Sequence, residues 1–407
     1  MVQEINSINH WAVFLSNNSN TQILINQLLE CKATKPFTGF NRLKGVLFST
    51  ITLNEFIEEE AKHEHSLVLK NTSRTLKSMS SGERKKALLA YLLSQQPDFI
   101  ILDNPFDNLD IASQKLLLDE LTQIGIYTAF IQLINRKNDQ LSFIKNTLTI
   151  GSQTNDISSN SYLFSGSIPP PIKHYKIDTT TLVEFKNVTI KYDDRTIVNT
   201  INWTINAGEF WQLVGPNGSG KTTLLTLING DNPKAYGQNL YLFGKRKGSG
   251  ETVWDIKEKI GYLTPAMTDL FSTRHTLEQM IISGFFDSIG LYKLPTDIQL
   301  KLANQWLILL EMGHLKNTPF CKLSLGQQRM ALIARAMVKH PPLLILDEPN
   351  SGLDDHNVSV LSALINKIAA ESTTAILYVS HRTEKNITPQ FVYELLPTNE
   401  GSMGFVR

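Results

Sequence analysis

Cysteine is nearly absent: Cys31 and Cys321 are the only two in 407 residues. Two thiols so far apart do not make the framework of a disulfide-stapled secreted domain, and they point to a reducing compartment. Net charge is almost absent too, at +1. No global field draws the chain to nucleic acid or anionic lipid, and no nucleic-acid partner is expected. No apolar run approaches the ~18–20 residues of a membrane span. Residues 1–6 lack the basic and apolar regions of a signal peptide. The expectation is a cytoplasmic protein without direct membrane insertion. If it serves a membrane system, it does so as a peripheral subunit at the inner face of the plasma membrane.

What is present reads as a globular protein of two domains. Apolar residues make up 42% and charged residues 19% of the chain, ordinary values for a folded protein. The length exceeds what one compact core serves. Residues 151–181 are rich in Ser and Asn and contain Pro169-Pro170-Pro171, the composition of a semi-rigid linker. The expected domains are therefore 1–150 and 182–407. In the second, residues 182–190 alternate apolar and polar like an edge-type strand. Phe210-Trp211-Gln212-Leu213-Val214, residues 343–346 and residues 375–379 are short apolar runs suited to parallel strands covered on both faces. Residues 327–339 read as a helix stopped by His340-Pro341-Pro342. The alternation predicts an α/β fold with a mainly parallel sheet.

A glycine-rich run, Gly215-Pro216-Asn217-Gly218-Ser219-Gly220-Lys221-Thr222-Thr223, follows the strand at 210–214. Glycines let backbone N–H groups point inward around phosphate oxygens, and the following helix turns its N-terminus to the anion. In such a P-loop the Lys221 ammonium reaches the β- and γ-phosphates, and the Thr222 hydroxyl binds Mg²⁺. Asp347 closes the apolar run Leu344-Ile345-Leu346, where a carboxylate can hold Mg²⁺. Glu348 beside it can polarise an attacking water. His381 follows another apolar run, where an imidazole can touch the γ-phosphate. Ser324-Leu325-Gly326-Gln327 opens a helix. That is a cap, and it is also a helix N-terminus able to take a phosphate. Tyr192 precedes a turn and offers an aromatic face to adenine.

The series occurs twice. Ser80 precedes Ser324, and Asp103 precedes Asp347, by the same 244 positions. The earlier copy is decayed. Where the second half has Gly215, Gly218, Gly220, Lys221 and Thr222, the first has Leu15, Asn18, Asn20, Thr21 and Gln22. Asn104 stands for Glu348 and Asn135 for His381. The phosphate-binding charge and the carboxylate are gone, whereas Ser80-Ser81-Gly82-Glu83 persists.

P-loop, signature, acidic strand end, Ser351-Gly352-Leu353-Asp354 and His381 resemble, in that order, the ABC-type ATPases. The runs 242–256 and 284–292, with residues 80–110, resemble the ModF proteins, tandem ABC ATPases named for molybdenum transport and sometimes labelled photorepair proteins. The resemblance implies two tandem ABC-type P-loop domains, each a mainly parallel sheet with a helical subdomain, the first truncated and degenerate. It implies ATP and Mg²⁺ as ligands and pairing of the two halves within the chain. ATP on residues 215–223 would then be closed over by Ser80, Gly82 and Glu83. ABC domains usually carry a Gln near the position of Pro265-Ala266, where it links the Mg²⁺ site to a membrane partner, and none is present here. Four readings stay open: a composite-site ATPase, a slow regulatory switch, a transporter subunit docking on a separate permease for molybdate, and a ribosome-associated soluble tandem ABC protein. The short, Pro/Ser-rich linker speaks against the last.

Overall fold

The structure is a computed structural model. It describes residues 9–17, 19, 21–63, 68, 75–150, 164–177, 179–270, 275–380, 384 and 386–407. The chain divides into two compact units, Met1–Ser158 with Gly352–Asp355, and Ser159–Ser351 with His356–Arg407.

The first unit is built on one sheet. Its strands are β1 (Trp11–Leu15), β2 (Gly45–Phe48), β3 (Phe99–Asp103), β4 (Ala129–Ile134) and β5 (Asn146–Ile150), in the order β2-β3-β4-β1-β5. Every pairing is parallel. Side chains alternate across each strand, so one run of apolar residues fills two cores. Ile100 and Leu102 of β3 join the cluster of Phe48, Leu88 and Phe130, whereas Phe99 and Ile101 join that of Val13, Leu28 and Phe40. Helices Thr21–Leu29, Ser81–Ser94 and Ile111–Ile124 supply the covers. In the same unit Asp354 exchanges two bonds with Asn17: the Asn17 N–H donates to its carboxylate (2.9 Å) and its own N–H donates to Asn17 Oδ1 (2.8 Å).

The second unit holds two sheets. An antiparallel one contains β6 (Thr181–Tyr192), β7 (Arg195–Asn206), β9 (Leu240–Leu242) and β10 (Lys245–Arg246), in the order β10-β9-β6-β7. The other runs β11-β12-β13-β8-β14-β15, where β8 is Phe210–Val214, β11 Ile260–Leu263, β12 Leu343–Asp347, β13 Ala375–Val379, β14 Phe391–Leu396 and β15 Met403–Val406. All its pairings are parallel except β14 with β15. One core joins both sheets. Trp203 of β7 stacks nearly parallel on Phe185 of β6 (6.2 Å between ring centroids) and on Tyr393 of β14 (4.3 Å). Helix Leu277–Ser283 packs on helices Asp297–Leu309 and Leu325–Met337.

The strand expected at 182–190 is present but is not an edge. β6 pairs with β7 on one side and β9 on the other. Alternating hydrophobicity reports that one face is covered; it carries no information about lateral hydrogen-bonding neighbours. The described part of the stretch expected as linker packs on the second unit: Phe164 and Ile168 are buried, and the Ile168 N–H donates to Glu371 Oε2 (2.9 Å). Among the described residues no helix is long and apolar enough to cross a membrane.

Candidate functional site

The glycine-rich loop leaves the end of β8, which lies between β13 and β14. In a parallel sheet the carboxyl ends of the strands share one side, where open α/β folds bind ligands. The loop's shape rests on three glycines with positive φ: Gly215 (+154°), Gly218 (+76°) and Gly220 (+93°). Gly220 is in the left-handed region as the residue before helix Lys221–Ile228, and a Cβ there would lie 2.6 Å from Val198 Cγ1. A Cβ on Gly218 would meet nothing, so that side of the loop faces open space.

Lys221 is buried, and its ammonium donates to the Gly215 and Pro216 carbonyls at 2.7 and 2.9 Å. The lysine folds back over its own loop. Ser219 is fully buried, and its Oγ has no hydrogen-bond partner among the described residues. A cleft of about 360 Å³ brings Asn217, Gly218, Lys221, Thr222, Asp347 and Glu348 to one space. Asp347 ends β12, in register with Val379 of β13. Glu348 turns away from the strand with φ +47°, its N–H held by the Val379 carbonyl (2.9 Å). Burial pushes the Tyr262 phenol well above its ordinary value, and the Asp347 charge adds to that. A lysine, a hydroxyl and two carboxylates around an inward-facing glycine loop fit a Mg²⁺-bound polyphosphate.

Tyr192 ends β6 beside a second cleft of about 870 Å³, which shares Arg195, Ile197 and Gly218 with the first. Its phenol oxygen accepts from Asn232 Nδ2 at 2.7 Å. Pro216, Thr223 and the rest of the loop lie where the motif puts them. His381 lies outside the described residues, as do Asn18 and Asn20. Arg195, which lines both clefts, and the turn 397–402, which lines the larger one, carry no sequence signal that would have singled them out.

In the first unit the decayed positions keep the backbone of the second. Asn104 has φ +43° where Glu348 has +47°, and Gln96 has +51° where His340 has +50°. Asn104 turns inward: its Oδ1 accepts from the Asn135 N–H (3.2 Å), and its Nδ2 donates to Asp103 (3.1 Å). Burial pushes the Asp103 carboxyl up. Thr21 opens the helix as Lys221 does, with Gln22 bonded to Asn26. Ser80 caps helix Ser81–Ser94: Ser80 Oγ accepts from the Glu83 N–H (3.2 Å), and the Glu83 carboxylate accepts from the Ser80 N–H (2.8 Å). Ser324 and Gln327 form the same box in the second unit. Gly82 sits close to Ser113: a Cβ there would lie 2.8 Å from Ser113 Oγ, so the hydroxyl would have to turn away.

The family model for the ABC transporter matches residues 198–351. The chain is 39% identical over 335 residues to the ABC transporter ATP-binding protein ModF of Escherichia coli, covering 76% of this chain and 68% of that one. It is 32% identical over 321 residues to an uncharacterized ABC transporter ATP-binding protein of Schizosaccharomyces pombe, covering 75% and 66%. It thus spans about two thirds of the length of these relatives. Among solved structures, cbiO1 of Clostridium perfringens, part of the ABC transporter complex cbiONQ, aligns with a TM-score of 0.47 and 26% identity over 53% of this chain and 85% of that one. The chain belongs to the ABC transporter ATP-binding proteins, a family of ATPases.

Proposed function

We propose that the chain is a cytoplasmic, Mg²⁺-dependent ATPase with one working nucleotide site, on the second unit, and one decayed site on the first. The observation that carries this reading is the shared cleft of Lys221, Thr222, Asp347 and Glu348, set against Thr21, Gln22, Asp103 and Asn104 at the repeated positions. The backbone N–H groups of residues 217–223 hold the phosphates, and Lys221 turns from its two loop carbonyls to the β- and γ-phosphates. Thr222 and Asp347 hold Mg²⁺, which when bound neutralises charge on the phosphate oxygens. Glu348 orients the attacking water and polarises it, with His381 assigned to the γ-phosphate. Tyr192 takes the adenine face.

The first half, in this reading, persists because it completes the site. Ser80, Gly82 and Glu83 close over ATP held by residues 215–223, and hydrolysis lets the halves part. Support comes from the pattern of loss, which removed the first half's lysine and carboxylate and left its signature. Turnover of Lys221→Ala and Glu348→Gln should fall at least a hundredfold, as loss of a charged or proton-accepting group in such sites does. Unchanged turnover in both removes the proposal.

A link to molybdate rests on the name of the Escherichia coli relative. No Gln stands at Pro265 or Ala266, and the Pro265 carbonyl is taken by Arg329 (3.1 Å). That favours a switch over a dedicated permease subunit. ATPase rates with and without molybdate, alongside affinity purification of membrane partners, separate the two.

A further inference from the structure

We propose that the turn 397–402 is a built wall of the nucleotide site and that Asn399 reads the 6-amino edge of the adenine base. This rests on the nucleotide reading above.

The turn joins β14 to β15 and is stapled to β7. The Ser402 N–H donates to the Ile197 carbonyl (2.9 Å), and the Asn199 N–H donates to the Ser402 carbonyl (2.8 Å). Gly401 has φ +103°, and a Cβ there would lie 2.7 Å from Thr196 Cγ2. Backbone bonds and close contact thus fix the turn against the strand that begins one residue after the Asp193-Asp194 turn. Tyr192, Arg195, Thr398 and Asn399 line the same cleft of about 870 Å³, a volume within the range of small-molecule sites, ~300–1,000 Å³.

The cleft opens at Gly218 into the phosphate end, so its far end falls to the base. Tyr192 is held there by Asn232, which is buried and also accepts from the Lys234 N–H (3.0 Å). A pinned ring gives a stacking face but distinguishes no base by itself. Of the polar groups on the turn, the Thr398 hydroxyl is spent within it, donating to the Gly401 carbonyl and accepting from the Glu400 N–H (3.2 Å). The Asn399 carboxamide makes no hydrogen bond among the described residues. A carboxamide carries a donor and an acceptor side by side, the complement of an amine beside a ring nitrogen. Asn399 Oδ1 accepts from the 6-amine, and Nδ2 donates to the neighbouring ring nitrogen.

The test is a cycle read by isothermal titration on the full chain, with ATP and with purine riboside triphosphate, which lacks the 6-amine. Wild type should bind ATP about fivefold more tightly than the analogue, and Asn399→Ala should lose that preference by weakening ATP about fivefold more than it weakens the analogue, which loses only the ring-nitrogen bond. Gly401→Val, which must push the turn off Thr196, should lose it as well while its melting curve stays cooperative. Equal binding of the two ligands by wild type overturns the proposal, and so does an Asn399→Ala effect equal on both. A wild-type protein that binds neither overturns the nucleotide reading itself, a result distinct from intact binding with an unmoved preference.

Discussion

A methyl group is enough to separate the roles of the loop glycines. Gly218→Ala meets no neighbour and faces only its φ of +76°, whereas Gly220→Ala combines φ +93° with a Cβ 2.6 Å from Val198 Cγ1. Left-handed backbone costs an alanine about 1 kcal/mol, and the clash adds to it by moving the loop off β7. Thermal melts should therefore show Gly220→Ala less stable than Gly218→Ala, and ATP titrations should show a larger loss of affinity. Equal melting temperatures would mean that the loop does not lean on Val198. The buried pair at the end of the signature helix behaves differently. Lys339 Nζ meets Asp287 Oδ1 at 2.5 Å and also donates to the Lys257 carbonyl (3.0 Å). Burial pushes the lysine down and the aspartate up, each opposed by its partner. Asp287→Ala leaves the ammonium without its counter-charge. It should cost about 2–3 kcal/mol in denaturant unfolding, somewhat below the cost of breaking a fully buried pair because Asp287 is one-third exposed.

Elements in the second unit are joined by aromatic contact. Trp203 is 3% exposed and stacks on Phe185 and Tyr393, so it ties the antiparallel sheet to the parallel one. Trp203→Ala should cost about 3–5 kcal/mol; a denaturant midpoint within error of wild type would show that the sheets are held elsewhere. A weaker tie holds the proline-rich segment. Glu371 accepts from Lys367 and from the Ile168 N–H. The lysine bond lowers its pKa most; burial opposes it, and the backbone bond and the lysine charge lower it further. A carboxylate with a lowered folded pKa stabilises above its unfolded pKa and loses that as pH falls through the folded value. Glu371→Gln should lower Tm slightly at neutral pH, and the gap should close as pH falls below 4.5, the ordinary glutamate value. A gap that widens in acid would contradict the assignment.

For the whole molecule, the decisive question is whether the first half serves the second. Ser80→Asp keeps a side-chain acceptor for the Glu83 N–H, as aspartate caps helices as well as serine does. It also places negative charge where the composite-site reading puts the γ-phosphate. Turnover should fall at least tenfold with Tm held within about 2 °C; unchanged turnover would leave Ser80–Glu83 with the cap alone.

The motif series was legible by itself because its chemistry is local. A glycine-rich turn, a lysine six residues on from its first glycine, and an acidic strand end each follow from short-range backbone rules, and the 244-residue spacing of the repeat needs no coordinates. Strand existence was legible for the same reason. Alternation or continuous hydrophobicity reports how many faces are covered, so β8, β12 and β13 could be read from their residues. Lateral order was not: hydrogen bonds between strands carry no side-chain signature, which is why β6 read as an edge and lies inside its sheet. Only tertiary structure decided that Asn232 pins Tyr192, that Lys221 folds onto Gly215 and Pro216, and that a turn nearly two hundred residues past the loop walls the same cleft. The first and last of these depend on chain segments brought together by the sheets, and separation in sequence gives no clue to such meetings; the lysine contact lies within one loop, but a motif does not state which way a side chain turns.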